Sequence, residues 1–153
     1  MLPRNYRFTV QNITGQTIAA SGIVVHMRRW KRASDGSITF EATEATVLDN
    51  PTTLMTATFP DVLTPLPGGG GAVPLLATGG YQDGTAQDNS TDKWEGGTID
   101  FRATAPVSSN GSVILFFKRS TDGGTTFDDD AIAIELDRLS FTAAGTKRLT
   151  LQI

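Results

Sequence analysis

The spacing of hydrophobic residues along the chain predicts β-strands rather than helices. Hydrophobic and polar residues alternate over residues 5–11, over residues 97–105 and again over residues 149–153, which is the pattern of strands with one buried face. Residues 113–118 are almost continuously apolar, and this predicts a central strand covered on both faces. The alternation over residues 149–153 further predicts that the last strand is docked in the fold.

Weaker patterns extend this assignment. Residues 23–31 are a further candidate strand, and residues 38–42 are predicted to return antiparallel to it. Residues 53–59 and 131–136 are also assigned as strands. No segment combines a helical hydrophobic period with capping residues, so the only helical structure expected is a short turn over residues 43–48.

The middle of the chain has a different composition. Residues 60–96 are a loop-rich insert, with six proline and glycine residues between Pro65 and Gly71. Loops of this length in compact domains are usually functional or disordered. This one is interpreted either as an arm that orders against a neighbouring subunit or as a plain surface connection. The expected fold is all-β: a single antiparallel β-sandwich or jelly-roll-like domain over residues 1–153, with a long Gly/Pro-rich central loop.

Composition limits the kinds of catalytic and metal site that the chain can form. The chain has no cysteine and one histidine, His26, which excludes disulfides, thiolate metal sites and multi-histidine metal sites. Nucleophilic catalysis needs a base beside the nucleophile, and a lone histidine in mid-strand beside Met27 is a poor candidate. We therefore expect no catalytic residue, no metal centre and no cofactor. A calcium site at Asp122 and the aspartates 128–130 is one alternative, although these residues lack a defined ligand spacing.

Nothing in the sequence predicts a membrane or secretory segment. No apolar run approaches the roughly 18–20 residues that a membrane helix needs. The first residues also lack the apolar stretch of a signal peptide. We expect a protein that is made and folded in a bacterial cytoplasm.

Charge is unevenly distributed along the chain. Residues 1–34 carry six basic and no acidic residues, whereas residues 35–153 carry seven basic and sixteen acidic ones. Four of the basic residues surround a tryptophan in one segment: Arg28, Arg29, Lys31 and Arg32. Such a mixture occurs in single-strand nucleic-acid binders. On an otherwise acidic chain, however, nucleic-acid binding is less favoured than contact with a neighbouring subunit.

The most informative feature is an internal repeat, since residues 31–40 match residues 118–127 at six of ten positions. The second copy resembles the Asp-box, the pattern Ser/Thr-x-Asp-x-Gly-x-Thr-Trp/Phe, and it fills every named place with Ser120, Asp122, Gly124, Thr126 and Phe127. The resemblance implies architecture rather than chemistry.

The first copy of the repeat is degenerate, because only Asp35, Thr39 and Phe40 fit the Asp-box pattern. In both copies the aspartate is expected to accept hydrogen bonds from the turn backbone, and the closing aromatic residue is expected to turn inward. Two similar hairpins suggest a sandwich built from two related halves, residues 5–59 and 97–153. An isolated hairpin is marginal in water, so the halves must pack on each other.

Residues 77–130 resemble small β-rich virion proteins of tailed phages, which have an aromatic-Asp-Gly loop, an alternating strand and then an apolar strand followed by Arg-Ser-x-Asp-Gly-Gly-Thr. The resemblance implies a repeated, non-enzymatic component of a capsid, neck or tail. Its partners would be copies of itself and other virion proteins. The alternative is a carbohydrate-binding or attachment module that uses Trp94, Tyr81 or Trp30 as stacking platforms.

Overall fold

The computed structural model describes residues 1–50, 80–128 and 133–153, and these ranges form two antiparallel β-sheets of five strands each. The described residues form no helix, and the predicted all-β sandwich is confirmed. None of them belongs to a helix that could cross a membrane. The glycine-rich run before residue 80 and the candidate strand over residues 53–59 lie outside the described residues.

The first sheet, called sheet 1, is built on the pairing of two neighbouring long strands. Its strands are β1 (Asn5–Ile13), β5 (Tyr81–Asp83), β6 (Gln87–Asp88), β8 (Gly111–Ser120) and β9 (Ile134–Phe141). The order across the sheet is β5-β1-β8-β9, and β6 also pairs with β1. Pairing of β1 with β8 is unbroken, from Asn5 opposite Ser120 to Ile13 opposite Ser112.

The second sheet, called sheet 2, has the same plan. Its strands are β2 (Ile23–Arg32), β3 (Ile38–Phe40), β4 (Ala45–Asp49), β7 (Gly96–Ala105) and β10 (Gly145–Gln152). Their order is β10-β7-β2-β3, and β4 also pairs with β2. The docking of the last strand is confirmed, because the N–H of Ile153 donates to the carbonyl of Gly97 at 3.0 Å.

The core lies between the inner faces of the two sheets. Alternate side chains of the central strands are fully buried there, as a strand period of two requires. In sheet 1, the Phe8 ring lies 6.0 Å from the Tyr6 ring and 5.5 Å from the Phe117 ring, measured between centroids. The corresponding buried residues of sheet 2 are Ile23, Val25, Met27, Ile99, Phe101 and Ala103.

Two segments differ from the sequence-based assignment. Residues 43–48, expected to contain a turn of helix, include most of strand β4 instead, and Val47 and Leu48 are buried in the core. The insert over residues 60–96, expected to be loop, contains β5, β6 and the start of β7. Asp83 explains the position of β5, since its carboxylate lies 2.7 Å from the Arg7 guanidinium on β1.

The two long sides of the sandwich are built differently. On one side the N–H of Thr85 donates to the carbonyl of Val47 at 2.9 Å and joins the sheets. Glycine is required beside this bond, because a Cβ on Gly84 would lie 2.3 Å from the same carbonyl oxygen. On the other side, β9 and β10 are edge strands, each paired with one neighbour among the described strands.

Both predicted halves contribute strands to both sheets. The first half supplies β1 to sheet 1 and β2, β3 and β4 to sheet 2, and the second half supplies β8 and β9 to sheet 1 and β7 and β10 to sheet 2. The two Asp-box-like turns follow the central strands β2 and β8. They lie at the same end of the sandwich, where the Tyr6 hydroxyl contacts the Met27 sulfur at 3.7 Å.

Candidate functional site

The turn after β8 folds around the carboxylate of Asp122. Its Oδ1 accepts hydrogen bonds from the Ser120 hydroxyl at 2.7 Å and from the N–H groups of Thr125 and Thr126 at 3.1 and 2.9 Å. Its Oδ2 accepts the Thr126 hydroxyl at 2.7 Å. Gly124 has a φ of 91°, a conformation that costs glycine no steric energy. The backbone N–H of Thr126 is the main cause that holds the pKa of Asp122 far below its usual range.

Asp122 is therefore a structural residue of the turn. Both carboxylate oxygens accept bonds from the protein, so a calcium ion would have to displace those donors. Asp128 is also engaged, because its carboxylate accepts a bond from the Arg119 guanidinium at 3.1 Å, while aspartates 129 and 130 lie outside the described residues. Within the described chain, no group of three or more histidine or acidic side chains could hold a metal ion.

Changing Asp122 to asparagine is expected to lower the melting temperature at pH 7, because an amide nitrogen would face the two donors of Thr126. The folded pKa is depressed, so the stability from this carboxylate is present above its unfolded pKa of about 3.9 and is lost as the pH falls further. The difference in melting temperature between wild type and variant should therefore become smaller below about pH 4. Thermal melts monitored by circular dichroism between pH 2 and 7 would measure it.

Asp35→Asn is the matched control in the first copy of the turn. Asp35 accepts bonds from one residue, the Ser37 N–H at 2.9 Å and the Ser37 hydroxyl at 2.7 Å. Because Asp35 accepts fewer hydrogen bonds than Asp122, the Asp35→Asn substitution should lower the melting temperature less than Asp122→Asn does. Equal effects of the two substitutions would contradict the special role assigned to Asp122.

The closing aromatic residues of the two turns occupy different surroundings. Phe127 is half-buried, with the Arg7 guanidinium 4.4 Å from its ring centroid. Phe40 is 50% exposed, so the expectation that it turns inward is wrong. The register explains the difference: Phe40 pairs with Trp30, which lies three positions from the buried Met27 and therefore on the outer face of sheet 2.

The basic cluster of β2 is divided between the two faces of the sheet. Arg29 and Lys31 lie on the inner side and are already bound within the chain. The Arg29 Nε donates to a Glu41 carboxylate oxygen at 2.8 Å. The Lys31 ammonium donates to the Asp92 carbonyl at 3.1 Å. Arg28 and Arg32 remain on the outer face, where both are exposed.

Trp94 is buried, with 8% of its surface exposed, so its interpretation as an exposed stacking platform is wrong. Its polar neighbours in the sequence indicated a surface loop, but the Asn89 side chain folds this loop inward. Asn89 Oδ1 accepts a hydrogen bond from the backbone N–H of Trp94 at 2.6 Å, and Asn89 Nδ2 donates to the backbone carbonyl of Trp94 at 2.9 Å. The indole then packs in the core, with the Lys31 ammonium 4.7 Å from its ring centroid.

Tyr81, a second of the three predicted platforms, is half-buried on β5. Its ring lies 6.5 Å from the Phe116 ring, measured between centroids, and is tilted by 33° from it. The structure therefore does not bring Tyr81 and Trp94 together into one aromatic surface.

An aromatic surface does exist on the outer side of sheet 2. We call it the aromatic-cationic face and define it by the outer-face residues of β2 and β3 at one end of the sheet: Arg28, Trp30, Arg32, Ile38 and Phe40. Ile38 and Phe40 are 55% and 50% exposed. The Arg28 guanidinium lies 5.4 Å from the Phe40 ring centroid, so cationic and aromatic groups are in contact there.

Gly96 shapes this face by lying directly opposite Trp30 on β7. A Cβ at Gly96 would lie 2.6 Å from Cζ2 of the indole, so the ring covers the glycine backbone closely. Trp30 is thus half-buried and lies flat over the strand beside Phe40. The sequence could have indicated which residues meet here. A hairpin whose first strand ends at Arg32 places Ile38 opposite Arg32 and Phe40 opposite Trp30.

The aromatic-cationic face can make apolar, stacking and charged contacts with a partner. It combines apolar rings with guanidinium groups. Its five residues include no nucleophile and no general base. Comparisons of the chain with protein-family models, with curated proteins and with solved structures find no match.

Proposed function

We propose that the protein is a non-catalytic structural subunit of a phage virion, a decoration, neck or tail component that binds copies of itself and other virion proteins. The observation that carries this proposal is the exposure of Ile38 and Phe40 beside Trp30 on the aromatic-cationic face. Tryptophan, phenylalanine and arginine are enriched in protein interfaces and supply much of their binding energy. The resemblance of residues 77–130 to tailed-phage virion proteins supports the virion as the setting.

Charge complementarity supports a neighbouring copy as the partner. Arg28 and Arg32 flank Trp30 on the face, whereas residues 35–153 carry sixteen acidic and seven basic residues. A face with two guanidinium groups is thus suited to the acidic surface of the next subunit. In a virion the same contact is repeated many times, so a modest interface suffices through avidity.

Phe40→Asp is expected to weaken self-association by about tenfold or more, since it places a charge in the centre of an apolar contact. Sedimentation velocity over a range of protein concentrations would measure the change. Val107→Asp is the matched control, because Val107 is an exposed hydrophobic residue of the β7–β8 connection at 74% exposure. It should associate like the wild type, and equal weakening by both variants would contradict the assignment of this face.

The virion setting needs a separate experiment. Antibodies against the chain should label purified particles of the phage that encodes it, at repeated positions in electron micrographs. Labelling that stays with the soluble lysate and is absent from particles would contradict the proposal.

A second candidate function, a carbohydrate-binding module, is favoured by the flat position of the Trp30 indole over Gly96. Sugar rings stack on such surfaces, and Phe40 would extend the platform. A glycan array distinguishes the two: a monomer that binds a glycan, and loses it in Trp30→Ala, would support the module instead of the assembly subunit.

A further inference from the structure

The long edge strand of sheet 2 offers a second association surface. We propose that two copies of the chain pair β10 with β10, antiparallel about a two-fold axis, so that the two copies of sheet 2 become one continuous sheet. This goes beyond the proposed function by naming the strand that joins two copies, and it does not depend on the aromatic-cationic face.

The outer edge of β10 carries backbone hydrogen-bonding groups that face away from β7. Ile153 and Gly97 exchange two backbone hydrogen bonds of 3.0 and 3.1 Å. In an antiparallel ladder such pairs recur at every second residue. The intervening residues Thr146, Arg148, Thr150 and Gln152 therefore direct their N–H and C=O groups away from β7. Among the described strands, none pairs with this edge.

The side chains on the outer face leave the edge uncovered. Three of them bend back over β7: the Thr146 hydroxyl lies 2.9 Å from the Thr104 hydroxyl, the Arg148 guanidinium 2.5 Å from the Asp100 carboxylate, and the Gln152 amide 3.1 Å from the Thr98 hydroxyl. An incoming strand would meet the main chain of β10 directly.

The other described edges are protected in the ways that stop strand addition. β3, β5 and β6 have only two or three residues each. β4 has five residues, and the carbonyl of its Val47 already accepts the Thr85 N–H at 2.9 Å. β9 is as long as β10, but a register shift interrupts its pairing opposite Leu115 and Phe116, and three of its eight residues are charged. The two charged residues of β10 are already engaged, Arg148 with the Asp100 carboxylate and Lys147 5.6 Å from the Phe141 ring centroid. β10 has eight residues paired without a shift.

Charge selects the register of the pairing. A two-fold axis at Leu149 pairs residues 146–152 of the two copies, with Lys147 opposite Leu151 and Arg148 opposite Thr150 of the second copy. Moving the axis to Arg148 would keep the length of the overlap but place two arginines opposite each other, which is destabilising. The register centred on Leu149 is therefore the one we propose.

Thr150→Pro tests the pairing without touching the ladder to β7, because the lost N–H is one that faces outward and proline is tolerated at such edge positions. Two hydrogen bonds per dimer disappear, so the dissociation constant of the dimer should rise by about tenfold or more. Thr150→Ala keeps the N–H and should dimerise like the wild type. Sedimentation velocity measures both, and circular dichroism checks that each variant is folded.

A cross-linking experiment tests the register. The chain has no cysteine, so a single introduced cysteine reports only its own surroundings. Opposite residues without mutual hydrogen bonds lie about 4.5 Å apart at Cα, which a disulfide can span. Leu149→Cys should therefore give a disulfide-linked dimer on mild oxidation, and Thr150→Cys should give far less. The reverse order of yields would overturn the register.

The outcomes separate this pairing from the proposed function. If Thr150→Pro abolishes the dimer while Phe40→Asp leaves it intact, the β10 pairing is supported. If the wild type stays monomeric at high concentration, or if Thr150→Pro associates like the wild type, the β10 pairing is wrong. If Thr150→Pro associates like the wild type but Phe40→Asp does not, the aromatic-cationic face is still supported as an association surface.

Discussion

Replacing Phe8 by alanine is expected to lower the free energy of unfolding by about 3–5 kcal/mol, the range for a fully buried phenylalanine. Phe8 has no exposed surface, and its ring contacts the rings of Tyr6 and Phe117 between the two sheets. The loss combines the transfer free energy of the ring with the cavity it leaves, because the paired strands β1 and β8 cannot move together to fill it.

Urea unfolding followed by circular dichroism would measure this loss. Phe40→Ala is the matched control, since it removes the same atoms from a side chain that is 50% exposed. It should change stability by less than about 1 kcal/mol. Similar losses in the two variants would mean that Phe8 is not the central core residue that the packing indicates.

The contrast between these two phenylalanines shows what the sequence could predict. Phe8 follows the alternation of β1, and a strand period of two is enough to assign it to the core. Phe40 also stands at an alternating position, but its face is decided by the register of the turn at Asp35 and by which side of sheet 2 meets sheet 1. Neither is a local property of residues 38–40.

The Asp122 turn was predictable because all of its bonds are local. Each donor to the carboxylate lies within four residues of Asp122, so the motif specifies its own geometry. β5 was not predictable for the opposite reason. It is held by Asp83, whose partners Arg7 and Lys118 are far away in the sequence. Such contacts exist only once β1 and β8 have paired.

Trp94 illustrates a third case, in which composition misled the assignment. The residues around it are polar, and polar segments are usually on the surface. The side chain of Asn89 bonds to both the backbone N–H and the backbone carbonyl of Trp94, which allows the indole to enter the core. A single asparagine therefore changes the environment of a residue five positions away.

Glu41→Gln is expected to lower the free energy of unfolding by about 1–3 kcal/mol at pH 7, less than the cost of breaking a fully buried ion pair because this one is partly solvated. The side chains of Arg29 and Glu41 are 15% and 17% exposed. Glutamine keeps the shape but removes the charge. Arg29 would then remain half-buried beside Tyr6 and Trp94 without its counter-ion.

The same pair predicts a pH dependence. The hydrogen bond from Arg29 is the main cause that lowers the pKa of Glu41 below its usual range. Because the folded pKa lies below the unfolded value of about 4.3, the stability from this carboxylate is complete above that pH and is lost as the pH falls through the folded pKa. Unfolding free energies of Glu41→Gln should therefore approach those of the wild type as the solution becomes more acidic.

Urea unfolding at several pH values between 3 and 7 would test both expectations, with Glu135→Gln as the control. Glu135 pairs with Arg138 on the surface, and exposed pairs of this kind contribute about 0.2–1 kcal/mol. A Glu41→Gln variant whose stability stays parallel to the wild type across this pH range would contradict the pairing. The acid dependence that remains in Glu41→Gln should come from the other carboxylates with depressed pKa values, those of Asp35, Asp88, Asp122 and Asp128.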